Sequence, residues 1–268
     1  MSQSAVSQSV VNPSSPRPRI AFAASSAPAA QGALDALTRR HGQVAVDEAD
    51  VVVALGGDGF MLQMLHETER MDVPVYGMNC GTIGFLMNGY SLDNLPERLA
   101  DAEEAVINPL AMRAVTTDGA EIHALAINEV SLLRLGPQAA KLQISVDGKV
   151  RMPELVCDGA LVATPAGSTA YNNSAHGPIL PIGSEVLALT AVAAFRPRRW
   201  RGAILPRGAV VRFDVLEVEK RPVMADADSR SVENVLSVEI RSEPSVRHRI
   251  LFDPGHGLEE RLIGEQFV

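Results

Sequence analysis

The chain has 268 residues, 46% hydrophobic and 21% charged, which is long enough for one large or two modest globular domains. Its formal net charge of −8 excludes the basic footprint of a nucleic-acid-binding domain. No apolar run reaches the ~18–20 residues that cross a bilayer and no signal peptide is evident, so we expect a cytoplasmic protein with no membrane or nucleic-acid partner.

The first part of the chain predicts a small α/β domain. Residues 1–18 are rich in Ser, Gln and Pro and are predicted to be a disordered tail. From residue 19 to about 105, strands and helices alternate, which indicates a parallel sheet with covered faces. Strands are predicted at 19–25, 49–55 and 73–79, and helices at 30–42 and 60–71.

The remainder, residues 106–250, predicts a β-rich, β-sandwich-like domain. Two hairpin turns are indicated by Asp118-Gly119 and Asp147-Gly148, each between apolar alternating segments. The run "SEVLALTAVAAF", residues 184–195, predicts a helix that interrupts the strands. We therefore expect a two-domain protein whose ligands bind where the domains meet.

The segment "LGGDGF" follows a strand and carries Gly56, Gly57 and Gly59, which present backbone N–H groups to an anion such as phosphate. Asp58 stands among them although a carboxylate repels phosphate. One interpretation makes Asp58 a helix cap, and the other makes it a catalytic base. A Walker loop is excluded, because no lysine precedes Lys141.

Three further segments have a composition that bears on ligand binding. "NCGTIGFL" at 79–86 matches a dinucleotide fingerprint only in part, because Asn79 stands where its first glycine belongs. Asn128-Glu129 interrupts an apolar strand, either as a buried, hydrogen-bonded pair or as an edge pair facing water. "DGALVATPAGSTAY" at 158–171 predicts hydroxyls and amides close to a sugar or phosphate, although ordinary loops share this composition.

Together these motifs, in this order over residues 19 to about 260, resemble the NAD kinases, a family related to diacylglycerol kinases and 6-phosphofructokinases. The resemblance implies transfer of the γ-phosphoryl group of ATP, or of polyphosphate, to the 2′-hydroxyl of the adenosine ribose of NAD. It implies that Asp58 accepts the hydroxyl proton, that Gly56 and Gly57 form the phosphate loop, and that Mg²⁺ accompanies ATP without a dedicated protein metal site.

The resemblance also implies the residues that hold the substrate. They are Gly59, Asn128, Glu129, Asp158, Thr169, Ala170, Tyr171 and Ser174, with Ala193 and Asp228 matching more loosely. It further implies a homodimer or homotetramer, and a C-terminal segment, 251–268, that returns to the first domain.

The sequence departs from the family pattern at several positions. Phe60 replaces the usual threonine or serine after the glycine motif, and Ala166 replaces a threonine. An arginine-rich segment, 196–201, is expected either to meet phosphates or a neighbouring subunit, or to be a solvated loop. Two alternatives to an NAD kinase remain open here: a dinucleotide-binding sensor without kinase activity, and a lipid kinase of the same superfamily.

Overall fold

The structure, a computed structural model, describes residues 18–81, 84–257, 260, 261 and 263. Residues 1–17 of the predicted N-terminal tail, Thr82, Ile83 and most of the last eleven residues lie outside this part of the chain. The first unit is built around a six-stranded sheet with three helices. These elements are β1 (Ile20–Ala24), α1 (Pro28–His41), β2 (Val51–Gly56), α2 (Asp58–Glu67), β3 (Val75–Asn79), β4 (Asn88–Gly89), α3 (Leu95–Asp101), β5 (Glu103–Ile107) and β18 (His248–Phe252).

The first sheet has the strand order β1-β2-β3-β18-β5, and β4 pairs with β3. All its pairs are parallel except β18 with β5, which confirms the predicted parallel sheet. Alternate residues of β2 enter two different cores, because helices cover both faces. Val51 and Val53 pack with α1, whereas Val52 and Ala54 pack with α2.

The second unit is a pair of six-stranded antiparallel sheets. The second sheet has the order β10-β9-β14-β17-β6-β7 and the third the order β13-β12-β11-β8-β15-β16. Their elements are β6 (Leu110–Thr116), β7 (Glu121–Ala126), β8 (Glu129–Arg134), β9 (Ala140–Val146), β10 (Lys149–Cys157), β11 (Gly159–Ala163), α4 (Tyr171–Ser174), β12 (Val186–Val192), β13 (Gly202–Pro206), β14 (Val211–Val215), β15 (Val223–Ala227), β16 (Arg230–Val232) and β17 (Val235–Ser242). One apolar core joins both sheets, which confirms the β-sandwich-like architecture.

The predicted hairpins exist, but the predicted helix at 184–195 is wrong. β6 pairs with β7 and β9 with β10 across the two Asp-Gly turns. Residues 186–192 instead form β12, which lies between β11 and β13 and is buried on both faces. An apolar run without alternation does not distinguish a buried strand from a helix, and here backbone pairing with two neighbours overrides helix propensity.

Two strands that lie far apart in the sequence complete the first sheet. β5 and β18 pair with each other, so the predicted domain divisions at residues 105 and 250 fall inside strands of the first sheet. The chain therefore leaves this sheet after β5, builds the sandwich, and comes back at His248 to lie beside β3. No helix among the described residues is long and apolar enough to span a membrane.

Candidate active site

Asp58 is the first residue of α2, and its carboxylate is held by a neighbouring loop. β2 ends at Gly56 and α2 begins two residues later, so the chain turns sharply at Gly57, which caps the helix without a side-chain bond. Asp58 Oδ2 accepts the backbone N–H of Phe85 at 2.7 Å, and Oδ1 accepts that of Leu86 at 2.8 Å. The glycine motif and the "NCGTIGFL" motif are thus joined through this carboxylate.

The close approach of Asp58 to this loop depends on a glycine. A Cβ atom built at Gly84 would lie only 2.9 Å from Asp58 Oδ1 and 2.8 Å from a side-chain carbon of Met87. Phe60, where the family pattern has a hydroxyl, packs instead against the apolar core under α2. The turn therefore offers backbone amides and one oriented carboxylate, and no hydroxyl at position 60.

Asn128 and Glu129 stand at the start of β8, an interior strand between β11 and β15, so they are not an edge pair. Burial raises the pKa of Glu129 to about 7, and the negative charge of Asp228 adds to the rise, while the Tyr171 N–H, which donates to the carboxylate, opposes it. Glu129 Oε2 is buried and has no hydrogen-bond partner among the described residues. A buried, unpartnered acceptor of this kind suits a ligand hydroxyl.

The "TPAGSTAY" segment packs directly against the backbone of Asn128. Thr164 donates its hydroxyl to the Ile127 carbonyl at 2.7 Å and its backbone N–H to the Asn128 carbonyl at 2.9 Å. A Cβ at Gly167 would lie 2.1 Å from that Asn128 oxygen, so only glycine fits. Thr169 and Ala170 follow in a half-buried turn, Tyr171 opens α4, and Ser174 ends it in an exposed position.

Several polar residues of this segment support the loop rather than face a ligand, which composition alone did not reveal. The buried Ser168 hydroxyl donates to the Pro165 carbonyl at 2.7 Å and accepts the Leu180 N–H at 3.0 Å. The Asn172 amide donates to two backbone carbonyls and accepts the Thr190 hydroxyl at 2.6 Å.

Asp158 lies at the start of β11 and is half-exposed. Its Oδ1 accepts a hydrogen bond from Arg134 Nε at 2.6 Å, an ion pair that the sequence motifs did not indicate. Its backbone N–H donates to the Val192 carbonyl, which places Asp158 beside the exposed Ala193. Burial raises the pKa of Tyr171, and the negative charges of Glu129, Asp158 and Asp226 add to the rise.

Asp228 lies in the turn between β15 and β16, and its side chain is only 3% exposed. Its carboxylate accepts the backbone N–H groups of Ile127 at 2.6 Å and Asn128 at 3.0 Å, together with a hydrogen bond to His66 Nε2 at 2.7 Å. Asp228 therefore holds the Asn128-Glu129 segment in place and connects it to α2 of the first unit.

A cleft of about 360 Å³ lies between α2 and the third sheet. Its lining residues include Gly59 and His66 from the first unit and Asn128, Glu129 and Asp228 from the second. The other predicted site residues are not among the described lining residues: Gly56, Gly57, Asp58, Asp158, Thr169, Ala170, Tyr171, Ser174, Ala193 and the exposed arginine segment. The structure thus brings the glycine motif and the Asn-Glu pair to one cleft, and Tyr171 adjoins it through the hydrogen bond from its backbone N–H to Glu129.

His248, the first residue of β18, makes the stability of the folded chain depend on pH. It is buried, and burial together with the neighbouring His66 lowers its pKa to about 4. In the unfolded chain the His248 imidazole takes up a proton near pH 6.5, whereas in the folded chain it stays neutral down to about pH 4. The free energy of unfolding therefore falls as the pH drops from about 6.5 toward 4. The contribution is about 1.4 kcal/mol per pH unit within that window.

We expect His248→Phe to remove this contribution to the acid slope in urea unfolding followed between these two pH values. The wild-type chain, unfolded over the same pH range, is the reference for this slope. An unaltered slope in His248→Phe would contradict the assignment.

The two-domain fold is also that of two solved kinase structures. The described structure superposes on yeast NADH kinase, solved with NADH, with a TM-score of 0.80 and 19% identity, covering 95% of this chain and 88% of that one. It also superposes on an NAD kinase from Archaeoglobus fulgidus, solved with ATP, with a TM-score of 0.74 and 24% identity, covering 92% and 98%. At these identities the likeness establishes the fold alone.

Sequence comparison gives the family. Residues 8–106 match the ATP-NAD kinase N-terminal domain, and residues 127–248 match the ATP-NAD kinase C-terminal domain. The chain is 74% identical over 250 residues to an NAD kinase of Cereibacter sphaeroides, covering 93% of this chain and 98% of that protein, and 59% identical to one of Caulobacter vibrioides, covering 93% and 96%. The chain belongs to the NAD kinase family, and the sensor and lipid-kinase alternatives have no support.

Proposed function

We propose that the chain phosphorylates the 2′-hydroxyl of the adenosine ribose of NAD with ATP, giving NADP, in the cleft between α2 and the third sheet. The observation that carries this proposal is the common cleft: Gly59, next to Asp58, lines it together with Asn128 and Glu129. The family membership supports the reaction, and the geometry supports where it occurs.

In this proposal Asp58 takes the proton of the attacking hydroxyl. Each carboxylate oxygen has two acceptor positions, and the backbone bonds from Phe85 and Leu86 use one on each. The remaining positions accept the ribose O–H while the backbone bonds fix the carboxylate plane. As the proton passes to Asp58, the 2′-oxygen bonds to the γ-phosphorus, the bond to the bridging oxygen breaks, and ADP leaves.

The remaining matched residues are proposed to hold the dinucleotide. Glu129 offers its unpartnered Oε2 to a ribose hydroxyl, and Asn128 offers an amide that donates and accepts. Tyr171 offers an aromatic face and a hydroxyl. Gly56 and Gly57 leave the backbone open to the phosphates, and the other proposed contacts are Thr169, Ala170, Ser174, Ala193 and, less directly because of its burial, Asp228.

We propose that Mg²⁺ enters with ATP. Among the described residues no three His, Cys, Asp or Glu side chains form a group that could hold a metal ion. Mg²⁺ commonly keeps several water ligands and binds substrate phosphates, so the phosphates of ATP would supply its ligands here. The ion, when bound, neutralises charge on the transferring phosphoryl group.

Assembly, location and phosphoryl donor are also proposals. The family resemblance leads us to expect a homodimer or homotetramer in the cytoplasm, which light scattering and fractionation would measure. Phe60 places no hydroxyl next to the phosphate loop, so we propose to compare ATP with polyphosphate as the donor.

One assay tests the function. The purified full chain is incubated with NAD, Mg²⁺ and either ATP or polyphosphate, and NADP is measured with an NADP-specific dehydrogenase. We expect NADP with ATP, and comparison of the two donors defines the preference. NAD binding without NADP formation from either donor would overturn the proposed function.

Asn128→Ala should weaken NAD binding without unfolding the protein. The structural bonds of Asn128 are made by its backbone N–H and C=O, and alanine keeps both. Loss of one or two ligand hydrogen bonds costs about 1–2 kcal/mol, so we expect the Kd for NAD to rise about tenfold in calorimetry. An unchanged Kd at an unchanged melting temperature would remove Asn128 from the binding site.

A further inference from the structure

We propose that Arg261, near the C-terminus, is a positioning residue for Asp58 and acts through the peptide groups of residues 84–86. This inference rests on the proposed role of Asp58 as proton acceptor. Arg261 lies more than two hundred residues from Asp58 in sequence, and none of the motifs discussed above includes it.

Arg261 binds the carbonyl side of the loop that holds Asp58. Its Nη1 lies 3.2 Å from the carbonyl oxygen of Gly84, 3.1 Å from that of Phe85 and 2.6 Å from that of Met87. Its Nε donates to the His256 carbonyl at 2.7 Å, and its guanidinium lies over the Phe252 ring at 5.2 Å. The side chain is therefore fixed in position by the returning C-terminal segment.

The same two peptide groups connect Arg261 to Asp58. The Gly84 carbonyl and the Phe85 N–H belong to one peptide unit, and the Phe85 carbonyl and the Leu86 N–H belong to the next. Each unit accepts from Arg261 at its oxygen and donates to Asp58 at its nitrogen. Hydrogen bonds in such a chain polarise one another, so the cation strengthens both bonds to the carboxylate.

The electrostatics of Arg261 agree with this arrangement. Burial lowers the pKa of Arg261, and the negative charges of Asp58 and Asp253 oppose that effect. No described carboxylate lies within ion-pair distance of the guanidinium, so its donors are directed to carbonyl oxygens. Nη1 contacts the loop carbonyls while Nε donates to the His256 carbonyl, and a lysine, which has a single nitrogen, cannot make both sets of bonds at once.

The consequence concerns turnover rather than substrate binding. Without Arg261, the two peptide units lose the bonds that hold their N–H groups toward Asp58, and the carboxylate loses its fixed plane. A small misorientation of a reacting group lowers kcat, whereas the Asn128-Glu129 side of the cleft is untouched. We expect Arg261→Ala to lower kcat about tenfold or more with the KM values for NAD and ATP within about twofold of wild type.

The experiment uses the full chain and a matched arginine. Arg249 lies on β18, in the same returning segment, and pairs with Glu104 on the surface far from the 84–87 loop. Arg249→Ala should therefore have the wild-type kcat, whereas Arg261→Ala should have a lower one. Millimolar guanidinium should restore part of the rate in Arg261→Ala alone, and Arg261→Lys should remain slow. Amide hydrogen exchange at Phe85 and Leu86 should accelerate in Arg261→Ala but not in Arg249→Ala.

Two outcomes would overturn the proposal: a kcat of Arg261→Ala close to wild type, or equal kcat losses in both arginine variants with equal exchange at Phe85 and Leu86. The variant Asp58→Asn, assayed alongside, keeps this result separate from the proposed function. If Asp58→Asn loses turnover while Arg261→Ala does not, only the positioning role fails. If Asp58→Asn keeps full turnover, the role of Asp58 itself fails, whatever Arg261 does.

Discussion

Asp58→Asn is expected to lower kcat by about 10²–10⁴-fold while leaving the Kd for NAD nearly unchanged. The amide cannot take the ribose proton, and its nitrogen cannot accept the N–H of Phe85 or Leu86, so it loses both the chemistry and part of the orientation. NADP formation under saturating NAD and ATP measures the first effect, and calorimetric titration with NAD measures the second.

A matched control is Asp35→Asn, the same change on the exposed surface of α1, which should keep full activity. The melting temperature of both variants must be followed, because the Asp58 bonds connect two loops of the first unit. Turnover of Asp58→Asn near the wild-type value would show that the hydroxyl loses its proton elsewhere, for example to solvent or to the phosphate itself.

Glu129→Gln is expected to change stability and binding in opposite directions. A carboxyl group whose pKa rises from 4.5 to about 7 on folding binds more protons in the folded state between these values, so wild-type stability falls as the pH rises through them. Glutamine does not titrate. The variant should therefore gain up to about 3 kcal/mol relative to wild type between about pH 4.5 and pH 8.

The same substitution should weaken NAD binding, because the carboxylate is the stronger acceptor for a ribose hydroxyl. In the wild type the KM for NAD should fall as the pH rises through about 7, where Glu129 ionises, and this dependence should be flat in Glu129→Gln. Urea unfolding without ligand and steady-state kinetics at several pH values measure the two effects. A constant stability difference across this pH range would contradict the raised pKa of Glu129.

The contributions of His248 and Glu129 to stability depend on pH in opposite directions, so the two tests can be separated. Protonation of His248 in the unfolded chain lowers the free energy of unfolding as the pH falls below about 6.5. Ionisation of Glu129 in the unfolded chain lowers it as the pH rises from 4.5 to about 7. Their effects partly cancel in the wild type, so a flat wild-type profile is uninformative. Only the two single variants reveal the two contributions.

The sequence by itself determined the elements whose pattern is local. Apolar runs and the alternation of strand and helix predicted β1, α1, β2, α2 and β3, and the Asp-Gly turns predicted two hairpins, because these signals depend on neighbouring residues. The motifs also predicted which short segments would carry the chemistry, and Gly59, Asn128 and Glu129 from two of these segments line one cleft. Local patterning failed at β12, where a buried strand has no alternation and only its pairing with β11 and β13 makes it a strand.

Only the tertiary structure decided how the motifs face one another. Glu129 acquires its raised pKa from burial and from Asp228, a residue about a hundred positions away whose carboxylate holds the Asn128 segment. Asp58 is oriented by Phe85 and Leu86, and that loop is in turn held by Arg261 from the far end of the chain. Such contacts depend on the return of β18 beside β3, and long-range pairing leaves no local signal in the sequence.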